Sequence, residues 1–169
     1  MTMEGQDRIL DRPAMADQCA RWREAGQKVV FTNGVFDLIH RGHVTYLEAA
    51  AQLGDVLVVG VNDDASVRRL GKGDDRPIVP EADRAFVVAG LRATAGVVLF
   101  GEDTPLELIR ALQPDVLVKG GDYDANCTDA GDPRYIVGSA EVKAAGGRVV
   151  TIDLVPGRST TAIAAKLKG

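Results

Sequence analysis

The sequence predicts a doubly wound α/β fold on a five-stranded parallel sheet, and three observations predict it. Five short runs rich in Val, Leu and Ile recur along the chain: Lys28–Thr32 (KVVFT), Asp55–Val61 (DVLVVGV), Gly96–Phe100 (GVVLF), Asp115–Lys119 (DVLVK) and Arg148–Leu154. Each is continuously apolar rather than alternating, as expected of strands covered on both faces and therefore parallel. Helical patterns alternate with them through short connections, the arrangement that winds helices over both sides of one sheet.

The elements follow in order. Met1 to Gln27 reads as a helical extension ahead of a main domain over 28–169, opened by Pro13 and stopped by Gly26. Its stripe Met15, Cys19 and Trp22 fits packing. Gly42–Leu53 reads as a helix closed by Gly54, and a short helix follows the Asp63/Asp64 cap. Leu70–Pro77 (LGKGDDRP) reads as a mobile polar loop and Pro80–Leu91 as a helix. Thr104-Pro105-Leu106-Glu107 combines a capping box with proline at the first helical position, predicting a helix to Gln113. A long loop from Gly120 to Tyr135 precedes a helix over Ile136–Ala145, and a last helix starts at Ser159.

Composition narrows the function classes. A 169-residue chain with 46% hydrophobic and 26% charged residues is expected to form a soluble globular domain with a real core. A net charge of -4 argues against a general nucleic-acid binder, which needs clustered positive charge. Cys19 and Cys127 are too few for a disulfide framework or a zinc ribbon and read as reduced thiols of a cytoplasmic protein. No secretory h-region opens the chain, and no apolar run is long enough to cross a membrane, so no membrane partner is expected.

The stretch Thr32–Ala50, TNGVFDLIHRGHVTYLEAA, holds both histidines of the chain, His40 and His43, as H-x-G-H. It follows the first strand, and ligands of doubly wound sheets bind beyond the C-terminal strand ends. Asn33-Gly34 would turn backbone amides toward a ligand, and Gly42 would open a helix whose N-terminus favours phosphate. The two imidazoles would then donate to phosphate oxygens. As a metal site the pair is poor, because no third histidine exists and no cysteine is near. The bland alternative is two histidines that merely cap a helix. Ser159-Thr160-Thr161 is by default an N-cap too, but its position after the fifth strand makes it a second phosphate cradle. Lys119-Gly120-Gly121-Asp122 lies at a strand tip, and Asn62 at another strand end faces the ligand.

These residues carry a resemblance. TNGVFDLIHRGHVTYLEAA resembles the first motif of the nucleotidylyltransferase superfamily, and Val59–Arg84, Pro114–Tyr123 (PDVLVKGGDY) and Gly157–Leu167 (GRSTTAIAAKL) extend the match over most of the chain from Lys28. The resemblance implies a Rossmann-like fold and transfer of a nucleoside monophosphate from a triphosphate to a phosphorylated acceptor. It is closest to the adenylyltransferases acting on D-glycero-β-D-manno-heptose 1-phosphate for the lipopolysaccharide inner core, in a form without the sugar-kinase domain found in many relatives. It implies catalytic roles for His40, His43 and Lys72. Nucleotide contacts are implied at Thr32, Asn33, Gly34, Phe36, Asp37, Gly42, Lys119, Gly120, Asp122, Ser159, Thr160 and Thr161. Acceptor contacts are expected at Asn62, Arg76, Arg84 and Arg158. Mg²⁺ is expected to arrive on the phosphates of ATP, with Asp37 as the one protein carboxylate near it, and relatives imply a homodimer.

The chemistry explains why no nucleophile–base pair is needed. A sugar 1-phosphate is ionised at neutral pH, so the protein supplies alignment and positive potential instead. The runner-up in the same class is a cytidylyltransferase for glycerol 3-phosphate or another small phosphate. A fragment of a class I aminoacyl-tRNA synthetase and a nucleotide sensor without turnover are the readings from other classes. One departure from the family stands out: Asp124–Tyr135 (DANCTDAGDPRY) is longer than the usual connection and is expected to border the acceptor pocket.

Overall fold

The computed structural model describes residues 5–71 and 73–168 of the 169-residue chain. The elements run α1 (Arg12–Glu24), β1 (Val29–Gly34), α2 (Arg41–Ala51), β2 (Val56–Asn62), α3 (Asp64–Arg69), α4 (Glu81–Ala89), β3 (Gly96–Phe100), α5 (Leu106–Leu112), β4 (Val116–Gly120), α6 (Ser139–Ala144), β5 (Arg148–Ile152) and α7 (Thr160–Lys168). The five strands form one sheet in the order β3-β2-β1-β4-β5, and every pairing is parallel. That is the α/β class expected from the runs of Val and Leu.

Alternate residues of the central strands serve two cores. Val30, Val59 and Val61 pack with Tyr46, Leu47 and Ala50 of α2 and with Ala85, Val88 and Ala89 of α4 on one face. Val29, Phe31 and Val58 pack with Met15 and Cys19 of α1 and with Leu108, Ile109 and Leu112 of α5 on the other. A strand sends successive side chains to opposite faces, so a continuous apolar run feeds both layers.

The edges differ from expectation. β5 is half-exposed along its length, not covered on both faces, because it is an outer strand. At the opposite edge, β3 is buried because the N-terminal segment reaches it: Ile9 bridges Val97 in parallel, and the Leu10 amide donates to the Val97 carbonyl at 3.0 Å. Met15 and Cys19 are fully buried and Trp22 packs beside them, so residues 9–24 share the core of the main domain.

Helix starts show the caps. Asp11 and Asp63 accept from the amides of Ala14 and Ser66, opening α1 and α3. The expected capping box at Thr104 does not form. Pro105 takes the cap position with φ -78° and ψ 9°, so α5 begins at Leu106 with no side-chain cap. α6 is also shorter than expected, because Gly138, in the left-handed region at φ 87°, ends the preceding loop and opens the helix at Ser139.

Candidate functional site

A cleft of about 1070 Å³ lies over the C-terminal ends of the strands, centred on β1 and β4. In this strand order the winding reverses between those two neighbours, since β2 and β3 lie on one side of β1 and β4 and β5 on the other, which is where doubly wound sheets bind ligands. Of the residues singled out from sequence, the cleft gathers Asn33, Gly34, Phe36, Asp37, His40, Gly42, His43, Asn62, Arg76, Lys119, Gly120, Arg158, Ser159, Thr160 and Thr161.

The two histidines cap α2 and line the cleft at once. His40 is the N-cap; its Nδ1 accepts the Gly42 amide at 3.0 Å, while His43 Nδ1 accepts the His40 amide at 3.4 Å. The bland reading is therefore true as far as it goes, yet it sharpens the functional one. A neutral ring whose Nδ1 accepts must carry its proton on Nε2. Both rings are thus set as Nε2–H donors, with centroids 4.0 Å apart. Burial, and the repulsion His40 would exert if both rings were protonated, push His43 down to about 4; burial and Arg158 lower His40. Both are neutral donors near pH 7.

The glycine between them has a steric cause. A Cβ on Gly42 would lie 2.8 Å from His40 Cε1, 2.9 Å from its Nδ1 and 3.2 Å from the Arg158 Cβ. Only a bare α-carbon lets the imidazole fold back onto the helix end. Gly34 serves Phe36 in the same way, since its Cβ would meet the Phe36 ring at 3.0 Å. Phe36 itself holds φ 52°, a backbone conformation that costs a non-glycine residue about 1–3 kcal/mol. Its buried ring stacks obliquely 5.5 Å from His43.

The α7 N-terminus closes the cleft on the histidine side. The Ser159 hydroxyl accepts the Ala162 amide at 3.1 Å, and Thr160 Oγ1 donates to the Leu38 carbonyl at 3.2 Å, tying α7 to the loop before α2. Arg158 lies beside His40. On the β4 side, Lys119 Nζ donates to Asn33 Oδ1 at 2.6 Å, and burial pushes its ammonium down to about 8.

Several residues sit elsewhere than sequence reasoning placed them. Thr32 is fully buried below the cleft; its hydroxyl donates to the Val118 carbonyl at 3.0 Å and so accepts from the Tyr46 hydroxyl at 2.8 Å. Arg84 is 1% exposed and takes no part in the lining. Its guanidinium donates to the carbonyls of Val79 and Val35 and to Asp64, at 2.9, 2.6 and 2.8 Å. Asp122 is exposed and outside the cleft lining. Lys72 lies outside the described residues.

Asp37 is engaged as well. Burial alone would raise its carboxyl, but the amides of Ile78 and Val79 and the Arg76 guanidinium outweigh it and hold the group below the usual carboxylate range. Both oxygens accept those donors at 2.9–3.0 Å, Oδ2 in an ion pair with the Arg76 guanidinium, so Asp37 clamps the 76–79 segment. No group of three His, Cys, Asp or Glu side chains gathers among the described residues to hold a metal ion.

Sequence reasoning missed Tyr46, Tyr123, Tyr135, Asp132 and the Asp103–Pro105 turn, all in the lining. Tyr46 could have been found from its spacing one helical turn after His43, Tyr123 from its place in the PDVLVKGGDY motif, and Asp132 and Tyr135 from the long loop that holds them. Ala130, Asp132, Pro133 and Tyr135 place the long 124–135 loop at the cleft.

The fold and this corner define the class. The chain belongs to the cytidylyltransferase-like family, whose model matches residues 31–166, and is a nucleotidyltransferase by that membership. It is similar to proteins named bifunctional protein HldE: 50% identical to that of Methylobacillus flagellatus over 161 residues, 95% of this chain and 31% of the relative. It is 54% identical to that of Gluconacetobacter diazotrophicus over 159 residues, 94% of this chain and 31% of the relative. The chain thus spans about a third of the length of these relatives. A solved structure, the lipopolysaccharide core biosynthesis protein from Thermoplasma volcanium, is 28% identical with a TM-score of 0.59, covering 77% of this chain and 98% of that one.

Proposed function

We propose that this chain transfers AMP from ATP to D-glycero-β-D-manno-heptose 1-phosphate, giving ADP-heptose and pyrophosphate for the lipopolysaccharide inner core. The observation that carries the reading is the paired His40 and His43, both set as Nε2–H donors beside Arg158 and the α7 N-terminus at the strand switch. Relatives named bifunctional protein HldE and a neighbour titled for lipopolysaccharide core biosynthesis support the choice of pathway.

In this reading an oxygen of the sugar phosphate attacks the α-phosphorus of ATP. The new P–O bond forms as the bond to the bridging α–β oxygen breaks, and pyrophosphate leaves with the electron pair. No proton moves, so no general base is required. The two Nε2–H groups, Arg158 and the α7 amides hold the leaving phosphates and meet the charge that develops on them. Lys119 and Asn33 hold the nucleotide side of the cleft. Lys72 is assigned, on the resemblance alone, to the phosphates as well. Mg²⁺ travels as the counter-ion of ATP in this reading; the residues here do not form a seat for it, and no step is routed through it. The same reading has the chain act in the cytoplasm as a homodimer.

Pyrophosphate release with each of the four nucleoside triphosphates against a panel of phosphorylated acceptors tests it. ATP with the heptose 1-phosphate should be the productive pair. Turnover with CTP and glycerol 3-phosphate, and none with ATP and the heptose phosphate, would overturn the assignment.

A further inference from the structure

The cleft has two unlike wings around the histidine corner. Toward β2 and β3 its wall carries the hydrogen-bonding side chains Asn62, Arg76, Asp103 and Thr104 beside Leu70, Phe100 and Pro105. Toward β4 and β5, beyond Lys119, it is aromatic and apolar, with Tyr123, Pro133, Tyr135, Leu154 and Val155. A phosphorylated polyol finds partners on the first wing, and a planar base finds them on the second. The 124–135 loop belongs to the second wing.

That loop is a built structure. The Asp124 amide donates to the Arg134 carbonyl at 2.9 Å, closing its base, and Lys143 Nζ donates to the Ala125 carbonyl at 2.6 Å, fastening it to α6. Ala125 packs on the core. The one carboxylate residue of the loop in the cleft lining is Asp132, where it stands beside Ala130, Pro133 and Tyr135. Arg134 grips it, with Nε 3.1 Å from Oδ1 and Nη2 2.8 Å from Oδ2. The Arg134 amide adds 2.8 Å to Oδ1. A carboxylate offers about four acceptor positions, so a position on Oδ2 is left for a ligand donor.

We propose that the 124–135 loop reads the nucleobase, with Asp132 accepting a hydrogen bond from the exocyclic 6-amine of adenine against the Tyr123–Tyr135 wall. This rests on the nucleotidyl-transfer reading for its ligand and reverses the expectation that the loop borders the acceptor. The Arg134 guanidinium holds the Asp132 carboxyl at about 2, so the acceptor stays ionised through the neutral range.

The test is equilibrium binding of ATP and of purine riboside triphosphate, which lacks only the 6-amine, to the wild type, Asp132→Ala and Arg134→Gln, alongside pyrophosphate kinetics. The wild type should prefer ATP by about 10- to 100-fold, the range for one hydrogen bond to a charged group. Asp132→Ala should bind the two alike, while Arg134→Gln, which keeps the carboxylate, retains most of the preference. The acceptor KM should stay at the wild-type value in both variants. Equal binding of the two nucleotides by the wild type, a preference that survives in Asp132→Ala, or a raised acceptor KM with unchanged nucleotide binding would each overturn the proposal. If the preference behaves as stated but no acceptor releases pyrophosphate, base reading stands and the transfer reading falls.

Discussion

Lys119 Nζ donates to Asn33 Oδ1 at 2.6 Å, joining the tips of the two strands between which the sheet order reverses. The bond bridges neighbours 86 positions apart in sequence. It puts a desolvated ammonium in the lining of the cleft.

That ammonium should report ligand binding as proton uptake. Burial moves it from its ordinary 10.5 down to about 8, so near pH 9 the free protein holds it neutral. The unfolded chain keeps it charged there and binds more protons, so this group's contribution makes the fold more stable as pH rises from 8 toward 10.5. A bound triphosphate raises the pKa again. Calorimetric titration of ATP at pH 9 in buffers of different ionisation enthalpy should show uptake of a fraction of a proton that Lys119→Met abolishes. Identical heats after buffer correction, in both proteins, would remove Lys119 from the anion site.

His43→Ala should lower kcat by about 10²–10³-fold, the usual cost of losing one preorganised transition-state donor, with a much smaller change in ATP affinity. Steady-state kinetics beside a binding titration separates the two. Unchanged turnover would take His43 out of the reaction.

The same ring should mark acid lability. Its pKa falls from 6.5 to about 4 in the fold, so between those values the unfolded chain binds the extra proton. The stability tied to the neutral ring is present above pH 6.5 and drains away as pH falls through 4. His43→Gln has no such group. Urea midpoints across that window should drop less in the variant than in the wild type, whatever constant offset the substitution brings.

Gly42→Ala should act as a catalytic lesion through shape alone. The added methyl meets the His40 ring below 3 Å, so the imidazole must leave its cap. Loss of an N-cap costs about 1 kcal/mol. A fall in kcat well beyond what a small shift in melting temperature accounts for is the expected signature.

Thr32→Val separates floor from ligand contact. The isosteric change leaves the Val118 carbonyl and the Tyr46 hydroxyl without their buried partner and should cost about 1–3 kcal/mol. The ATP KM should stay within about twofold, far under the effect of a lost charged contact. A large KM change with no loss of stability would return Thr32 to the nucleotide.

Much of this was legible in the residues. Runs such as DVLVVGV announce buried parallel strands because both faces of each strand demand apolar side chains, and the histidine pair is visible by its spacing. What the sequence hides is where polar groups find partners. Arg84 reads as a contact to the acceptor substrate until three hydrogen-bond acceptors from three segments converge on it. Asp37 reads as a phosphate-side carboxylate until the amides of the 76–79 segment claim both oxygens. Thr104 carries every mark of a cap, yet the local backbone at Pro105 starts the helix one step later. The 124–135 loop has no periodicity, so only its fold shows which side chains turn inward.

Arg84 also fixes what the corner tolerates. Its guanidinium holds the Val35 carbonyl, one residue ahead of Phe36 with its left-handed backbone. A lysine there has one ammonium, too short and too compact to serve carbonyls on two loops and a helix-start carboxylate together. The nearest-looking exchange of one cation for another would leave main-chain oxygens stranded inside the protein and let the aromatic ring behind His43 drift, disabling a reaction whose substrates this side chain never meets.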